Sequence, residues 1–132
     1  RPGNPGNTPW KRYPTFRRVN IYDSVVEGGE SEAAVVVRGN GSKLNAINTS
    51  MHSLRRRGLV VAHGGQAVLK GCRSDGRNGG GWAALHKGSC LTAYDSSSSG
   101  NYSVNAYVYR GATAHFVRCT LENGQHGLNA FW

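Results

Sequence analysis

Gly58–Arg73 reads GLVVAHGGQAVLKGCR, and Asn105–Thr120, about 47 residues further on, reads NAYVYRGATAHFVRCT. The apolar residues, the bend glycine and the cysteine fall at the same places in both stretches, and another copy lies between them. The spacing corresponds to a repeat of about 23 residues. A self-similar period in the twenties is typical of a solenoid, in which each unit buries its apolar face against its neighbours.

Apolar or small residues two positions apart recur along the chain in three sets. The first set is Val35/Val37, Leu59/Val61, Ala83/Leu85, Ala106/Val108 and Asn129/Phe131. The second set is Val19/Ile21, Leu44/Ala46, Ala67/Leu69, Leu91/Ala93 and Ala114/Phe116. The third set is Ser24/Val26, Thr49/Met51, Cys72/Ser74, Ser96/Ser98 and Cys119/Leu121. Because residues two apart in a strand point to the same face, each set predicts a column of inward-facing side chains. Glycines between the sets indicate tight bends.

Three short parallel strands per unit predict a right-handed parallel β-helix, an all-β solenoid of about four to five coils. A leucine-rich repeat has a similar period but needs several leucines per unit, and a β-propeller blade needs about 40 residues. The six-residue period of a left-handed hexapeptide helix is absent from the sequence. No stretch has the three-and-four apolar spacing of an amphipathic helix.

The units resemble the right-handed β-helix repeats of the pectate-lyase-like superfamily. The resemblance rests on the pattern Gly-apolar-x-apolar-x-x-Gly-x-x-apolar-x-apolar-x-x-Cys/Asn, which Gly58–Cys72 meets, and it covers about residues 19–132. That superfamily contains polysaccharide lyases and hydrolases as well as non-enzymatic proteins. The resemblance therefore implies a fold and leaves the function open.

The first 18 residues differ in composition from the rest, since all four prolines lie within the first 14. Proline cannot donate a ladder hydrogen bond and favours extended backbone. We predict an extended Pro/Gly/basic arm over residues 1–18 and a β-helix over residues 19–132. The last unit stops soon after its first strand begins, so we expect either a covering partner or further chain. No apolar stretch predicts a signal peptide or a transmembrane segment.

Three cysteines make an odd count. Cys72 and Cys119 share a column two coils apart, a separation of about 9.6 Å that exceeds the reach of a disulfide. Cys90 falls on another strand, where its place beside Leu91 predicts that its side chain points outward. Free thiols favour a reducing compartment, although an organelle lumen is compatible with them. The sequence has no cluster of Cys and His residues at the short spacing that metal ligands need, so we predict no metal site. We also predict no cofactor.

Charge is the strongest functional signal, because 16 Lys and Arg against 7 Asp and Glu give a formal net charge of +9. Arg55, Arg56 and Arg57 form a run at the bend before a predicted strand. Arg73 and Arg77 are placed at the corresponding bend of the next coil and would extend the same patch. Such a surface attracts phosphates, acidic sugars or an acidic protein, although a merely solvated basic face is the simpler alternative.

Aromatic residues are predicted beside that charge, on the outer side of the first set of strands. Strand alternation gives an outer row of Ala62, His86, Tyr109 and Trp132, with Tyr107 and Ala84 in the adjacent row. Such side chains stack on sugars or bases and also anchor protein interfaces.

Catalysis is weakly indicated. Asp75 and Glu122 share a ladder position two coils apart, about 9.6 Å, which is at the outer edge of the spacing of an inverting glycosidase pair. His126 in a His-Gly pair echoes a hydrolase motif. No second carboxylate pair or Ca²⁺-type cluster accompanies them.

These observations favour a non-catalytic structural or docking subunit that binds an acidic partner surface in a larger assembly. The first alternative is a module for acidic polysaccharide, or a fragment of a lyase or hydrolase. The second is nucleic-acid binding through the basic patch, which no recognised motif supports.

Overall fold

The computed structural model describes residues 17–28, 32–53, 55–74, 79–122 and 126–130, and these residues form an all-β fold. The predicted arm lies almost wholly outside them, since the first strand begins at Arg17. The twelve strands are β1 (Arg17–Tyr22), β2 (Val25–Gly28), β3 (Ala33–Arg38), β4 (Ser42–Ile47), β5 (Ser50–Ser53), β6 (Arg57–Ala62), β7 (Gln66–Lys70), β8 (Gly80–Leu85), β9 (Cys90–Tyr94), β10 (Val104–Tyr109), β11 (Thr113–Val117) and β12 (His126–Ala130). No helix in this part of the chain is long and apolar enough to cross a membrane.

The strands stack as a parallel β-solenoid of about four turns, as the repeat predicts. The first sheet has the order β3-β6-β8-β10-β12, and the second sheet has the order β1-β4-β7-β9-β11. The third face consists of β2 and β5, continued by single parallel bridges from Ser50 to Arg73, Ser97 and Thr120. Every strand pairing is parallel. Each turn therefore visits the second sheet, the third face and the first sheet in that order.

The second sheet has the predicted register. Val19 pairs with Leu44, which leads through Ala67 and Leu91 to Ala114. The third set is also in place, because Val26 pairs with Met51 and the bridges continue the same register.

The predicted register of the first sheet is wrong by one residue in two strands. Trp82 pairs with Leu59 and Ala84 with Val61, so these two residues, rather than Ala83 and Leu85, belong to the inward column. In β12, Leu128 pairs with Ala106 and the backbone of Ala130 with that of Val108, where the sequence predicted Asn129 and Phe131. The reason in β8 is that three glycines and then four consecutive apolar residues give no alternation from which to read the register.

Trp82 is the largest fully buried side chain of the core. Its ring stacks on that of Phe116 with centroids 6.0 Å apart, and its Nε1–H donates to Ser74 Oγ at 3.0 Å. The indole thus fills the interior with its one polar atom satisfied, which explains why a bulky residue fits a narrow solenoid.

The bend between the second sheet and the third face is built from left-handed backbone in every turn. Its residues are Asp23, Asn48, Gly71, Asp95 and Arg118, all with positive φ. The next residue along the chain donates its side-chain hydrogen to the carbonyl two residues earlier; these donors are Ser24, Thr49, Cys72, Ser96 and Cys119. Hydroxyl or thiol groups are therefore suited to this column because they satisfy a carbonyl at a sharp corner.

All three cysteines are free, as their positions predict. Cys72 is buried, and burial raises the pKa of its thiol above the ordinary value. Cys90 belongs to the outward row of the second sheet, where it pairs with Gln66.

Candidate functional site

A groove of about 300 Å³ opens near the start of the strands of the first sheet. It will be called the basic groove, and its lining residues are Glu32, Arg55, Arg56, Arg57, Gly79, Gly80, Ser103 and Tyr107. Three of the predicted binding residues and one predicted aromatic are thus brought together. The sequence reasoning did not identify Glu32, Ser103 or the two glycines as part of the site.

The backbone of the next turn holds the arginine run in place. The N–H groups of Gly79 and Gly80 both donate to the carbonyl of Arg56, at 2.8 and 3.4 Å. A Cβ atom at Gly79 would lie 2.5 Å from the carbonyl oxygen of Arg55. Glycine at this position is therefore required for the close approach that presents Arg55 and Arg56 to solvent.

Arg57 forms the inner wall of the groove together with an aromatic ring from two turns away. Its Cζ atom lies 4.7 Å from the ring centroid of Tyr107, which is within the range of a cation–π interaction. The ring of Tyr107 also meets that of Tyr109 edge-to-face, with centroids 5.4 Å apart. Both tyrosines are half-buried, so the groove has one ordered cation resting on a fixed aromatic surface.

The electrostatic balance of the basic groove is positive. Glu32 is the one carboxylate among the described residues that line the groove, and both of its oxygens accept hydrogen bonds from Arg38, at 2.6 and 2.9 Å. The charge of Glu32 is therefore already countered from outside the groove. Arg55 and Arg56 are exposed, so salt will screen their attraction for an anion.

The other predicted basic residues do not extend this groove within the described part of the chain. Arg73 bridges Ser50 and Ser97 on the third face, so its predicted place at the bend is wrong. It lines a separate groove of about 410 Å³ with Asp95 and Arg118, which form an ion pair with each other. Arg77 lies outside the described residues.

The predicted aromatic row is correct for its tyrosines and wrong for His86. Leu85 occupies the outward position between Ala62 and Tyr109, and Ala84 faces the core. His86 lies one residue later, at the bend, because of the register shift in β8. Trp132 lies outside the described residues.

At that bend His86 stacks on His63, its counterpart in the previous turn, with ring centroids 3.9 Å apart. Burial, and then the nearby charges of His63, Arg110 and Arg38, lower the pKa of His86 below its ordinary value. The His86 Nδ1 atom is buried and has no hydrogen-bond partner among the residues that the structure describes. A neutral imidazole is consistent with these surroundings.

The outer surface of the first sheet is buried at its centre. Val60, Ala62 and Ala83 point away from the core, yet they are buried in a second apolar cluster with Leu85 and Tyr107. The sequence carried a signal for this, since strand β6 contains an unbroken apolar run where a half-exposed strand would alternate. The open part of the first sheet is thus confined to its margin, where the basic groove lies.

Of the candidate catalytic residues, Glu122 alone has its side chain in the described part of the chain. Glu122 is exposed, and its backbone carbonyl accepts hydrogen bonds from Asn105 and Gly100. Asp75 lies outside the described residues, and so does the side chain of His126, whose backbone pairs with Val104. No group of three or more His, Cys, Asp or Glu that would hold a metal ion occurs in the described ranges.

No protein-family model, curated protein or solved structure matches the chain.

Proposed function

We propose that the chain is a non-catalytic docking module that binds an acidic protein surface through the basic groove. The observation that carries this proposal is the convergence of Arg55, Arg56 and Arg57 on one groove, in which Glu32, the one carboxylate among the described lining residues, is already paired. Arginine binds carboxylates in a planar, two-pronged geometry, and it is enriched with tyrosine at the energetic centres of protein interfaces.

The form of the groove favours a protein over the two polymer ligands. A single strand of nucleic acid needs a series of rings on which successive bases stack, and among the described residues that line the basic groove only Tyr107 offers a ring. That ring is also occupied, since Arg57 lies over it. An acidic polysaccharide remains the alternative, because the guanidinium groups of Arg55, Arg56 and Arg57 would bind the carboxylates of such a polymer as well as those of a protein.

The handedness of the solenoid and its family are a further part of the proposal. We infer that the solenoid winds in the right-handed sense, since parallel crossover connections within a sheet are right-handed in nearly all proteins. Affiliation with the pectate-lyase-like superfamily, which includes non-enzymatic β-helix proteins as well as polysaccharide lyases and hydrolases, is part of the same proposal, and it rests on the repeat pattern of Gly58–Cys72.

The test is a binding titration with three fluorescent probes: a poly-glutamate peptide, heparin and poly-uridine. We expect poly-glutamate to bind at low ionic strength and its affinity to fall as salt rises. Because an exposed ion pair contributes about 0.2–1 kcal/mol, Arg56→Gln should weaken binding by up to about 5-fold. Lys70→Gln, which removes an equal charge from the second sheet, is the matched control and should change the affinity less.

Equal losses in Arg56→Gln and Lys70→Gln would show that net charge alone drives binding and would contradict the proposed site. Heparin or poly-uridine binding that is tighter than poly-glutamate binding and sensitive to Arg56→Gln would move the assignment to the corresponding polymer.

A further inference from the structure

The carboxylate of Glu32 shares the basic groove with the guanidinium groups of Arg55, Arg56 and Arg57. A carboxylate in that position can pair with either of two sets of cations. If it pairs with the three arginines, it fills the groove from within, and a ligand must displace it. If a cation outside the groove holds it, the three arginines are left for the ligand. The structure shows the second arrangement, since both Glu32 oxygens accept hydrogen bonds from Arg38, at 2.6 and 2.9 Å.

Arg38 reaches this carboxylate from the opposite end of the same strand. Glu32 comes directly before Ala33, the first residue of β3, and Arg38 is the last residue of that strand. In the register of the first sheet Ala33 pairs with Arg57, whereas Arg38 pairs with Ala62, at the far end of β6. The backbone of Arg38 therefore lies away from the groove, and its side chain extends back along β3 to meet Glu32.

The ion pair of Arg38 and Glu32 is exposed, with 51% of the first side chain and 44% of the second accessible to solvent. Exposed ion pairs add little to the stability of a fold, and β3 is already held by its ladder with β6. The two-pronged geometry nevertheless fixes the position of the carboxylate, because both of its oxygens are engaged by the Arg38 guanidinium. The main consequence of the pair is therefore the place where it holds the negative charge of Glu32.

We propose that Glu32 is an internal competitor for the acidic ligand of the basic groove, and that Arg38 is a positioning residue that holds Glu32 away from the three arginines. The inference rests on the proposed docking function and adds the residue pair that sets the affinity of the groove. The carboxylate of Glu32 and the carboxylates of a ligand would bind the same guanidinium groups. Loss of Arg38 should therefore weaken ligand binding, and loss of the Glu32 carboxylate should strengthen it.

The experiment is a double-mutant cycle, read as the affinity for poly-glutamate by fluorescence anisotropy at low ionic strength. Arg38→Gln should weaken binding by up to about 5-fold, and by more than Lys70→Gln, which removes an equal charge from the second sheet. Glu32→Gln should bind more tightly than the wild type. In a chain that already carries Glu32→Gln, Arg38→Gln should weaken binding no more than Lys70→Gln does, because no carboxylate remains to compete. Arg38→Lys keeps the charge without the two-pronged geometry and should give an intermediate affinity.

Nuclear magnetic resonance of the ligand-free chain gives a second measurement that does not depend on binding. At least one Nε–Hε resonance among Arg55, Arg56 and Arg57 should shift in Arg38→Gln, as Glu32 turns towards these side chains. The same resonances should return to their wild-type positions when Glu32→Gln is added. Circular dichroism checks that each variant folds.

The outcomes separate this inference from the docking function. If Arg38→Gln weakens binding equally with and without Glu32→Gln, and the arginine resonances do not move, the role of Arg38 is overturned while the docking function stands. If poly-glutamate binds neither the wild-type chain nor Glu32→Gln, the docking function fails, and the competition fails with it.

Discussion

The imidazole rings of His63 and His86 stack with centroids 3.9 Å apart and planes inclined by 13°. Both residues have left-handed backbone, with φ of 52° and 76°, and they occupy the same bend in successive turns. The stacking of the turns thus brings two titratable rings into contact, and Arg110 follows in the equivalent place of the next turn. Burial first, and then the positive charge near this bend, disfavours protonation of His86 and lowers its pKa.

Because of the His63–His86 stack, we expect the free energy of unfolding to decrease on acidification. The pKa of His86 is lowered in the folded chain from its ordinary value of 6.5, so the unfolded chain binds the proton more readily. Stability from this group is fully present above about pH 6.5 and is lost as the pH falls from there through the folded pKa. We expect the denaturant midpoint to decrease between pH 7.5 and pH 5. Urea titrations followed by circular dichroism measure this change.

His86→Asn should reduce that pH dependence, since asparagine tolerates the positive φ and does not titrate in this range. His115→Asn, which removes an exposed histidine from β11, is the matched control. If both variants keep the wild-type slope of stability against pH, the stacked pair is not its source.

Gly81→Ala should destabilise the fold strongly. A Cβ atom at Gly81 would overlap Ser98 Oγ and the carbonyl oxygen of Asn105, and these two atoms are hydrogen-bonded to each other at 2.7 Å. Overpacking of this kind costs about 1–3 kcal/mol, and loss of the buried hydrogen bond adds to it. The neighbouring Gly80→Ala is the control, because a Cβ there would approach nothing closer than 3.3 Å. Thermal melts of the two variants should therefore differ, and equal melting temperatures would contradict the packing described here.

The three thiols should react at different rates with a maleimide reagent. Cys72 is buried, its pKa is raised by burial, and its single Sγ–H is shared between the carbonyls of Ala46 and Lys70. Since the thiolate is the nucleophile, Cys72 should react only when the chain opens, more slowly than half-buried Cys90 and Cys119. Mass spectrometry of peptides from a labelling time course gives the three rates. Labelling in urea is the control and should make them similar, whereas rapid labelling of Cys72 in buffer would contradict its burial.

The sequence predicted the register of the strands in which inward-facing apolar residues alternate with polar ones. In the second sheet the inward columns alternate with residues such as Asn45 and Lys43, so its register could be read directly. In the first sheet the glycines before Trp82 and the apolar run after it leave no alternation of apolar and polar residues. The predicted position of His86 in the outward row is wrong for that reason. Only part of the basic groove could be predicted. The run of Arg55, Arg56 and Arg57 is local and can be read from the sequence. The pairing of Arg57 with Tyr107, 50 residues away, depends on the register of three turns.

Tyr107 should contribute to anion binding by positioning Arg57 rather than by adding charge. The ring holds the guanidinium at 4.7 Å, so Tyr107→Leu frees the arginine and raises the entropy that it loses on binding. An exposed cation–π contact is worth about 0.5–1 kcal/mol, so the affinity for poly-glutamate should fall by about 2- to 5-fold. Tyr107→Phe retains the aromatic face and should bind like the wild type. Fluorescence anisotropy at low ionic strength measures both affinities, and the Arg57→Ala variant gives the loss of affinity expected when this cation is removed entirely.

A double variant separates positioning from direct contact. If Tyr107→Leu weakens binding in a chain that already carries Arg57→Ala, the ring contacts the acidic ligand itself. Full additivity of the two substitutions would therefore refute the positioning role, whereas a much smaller effect in the double variant is the expected result.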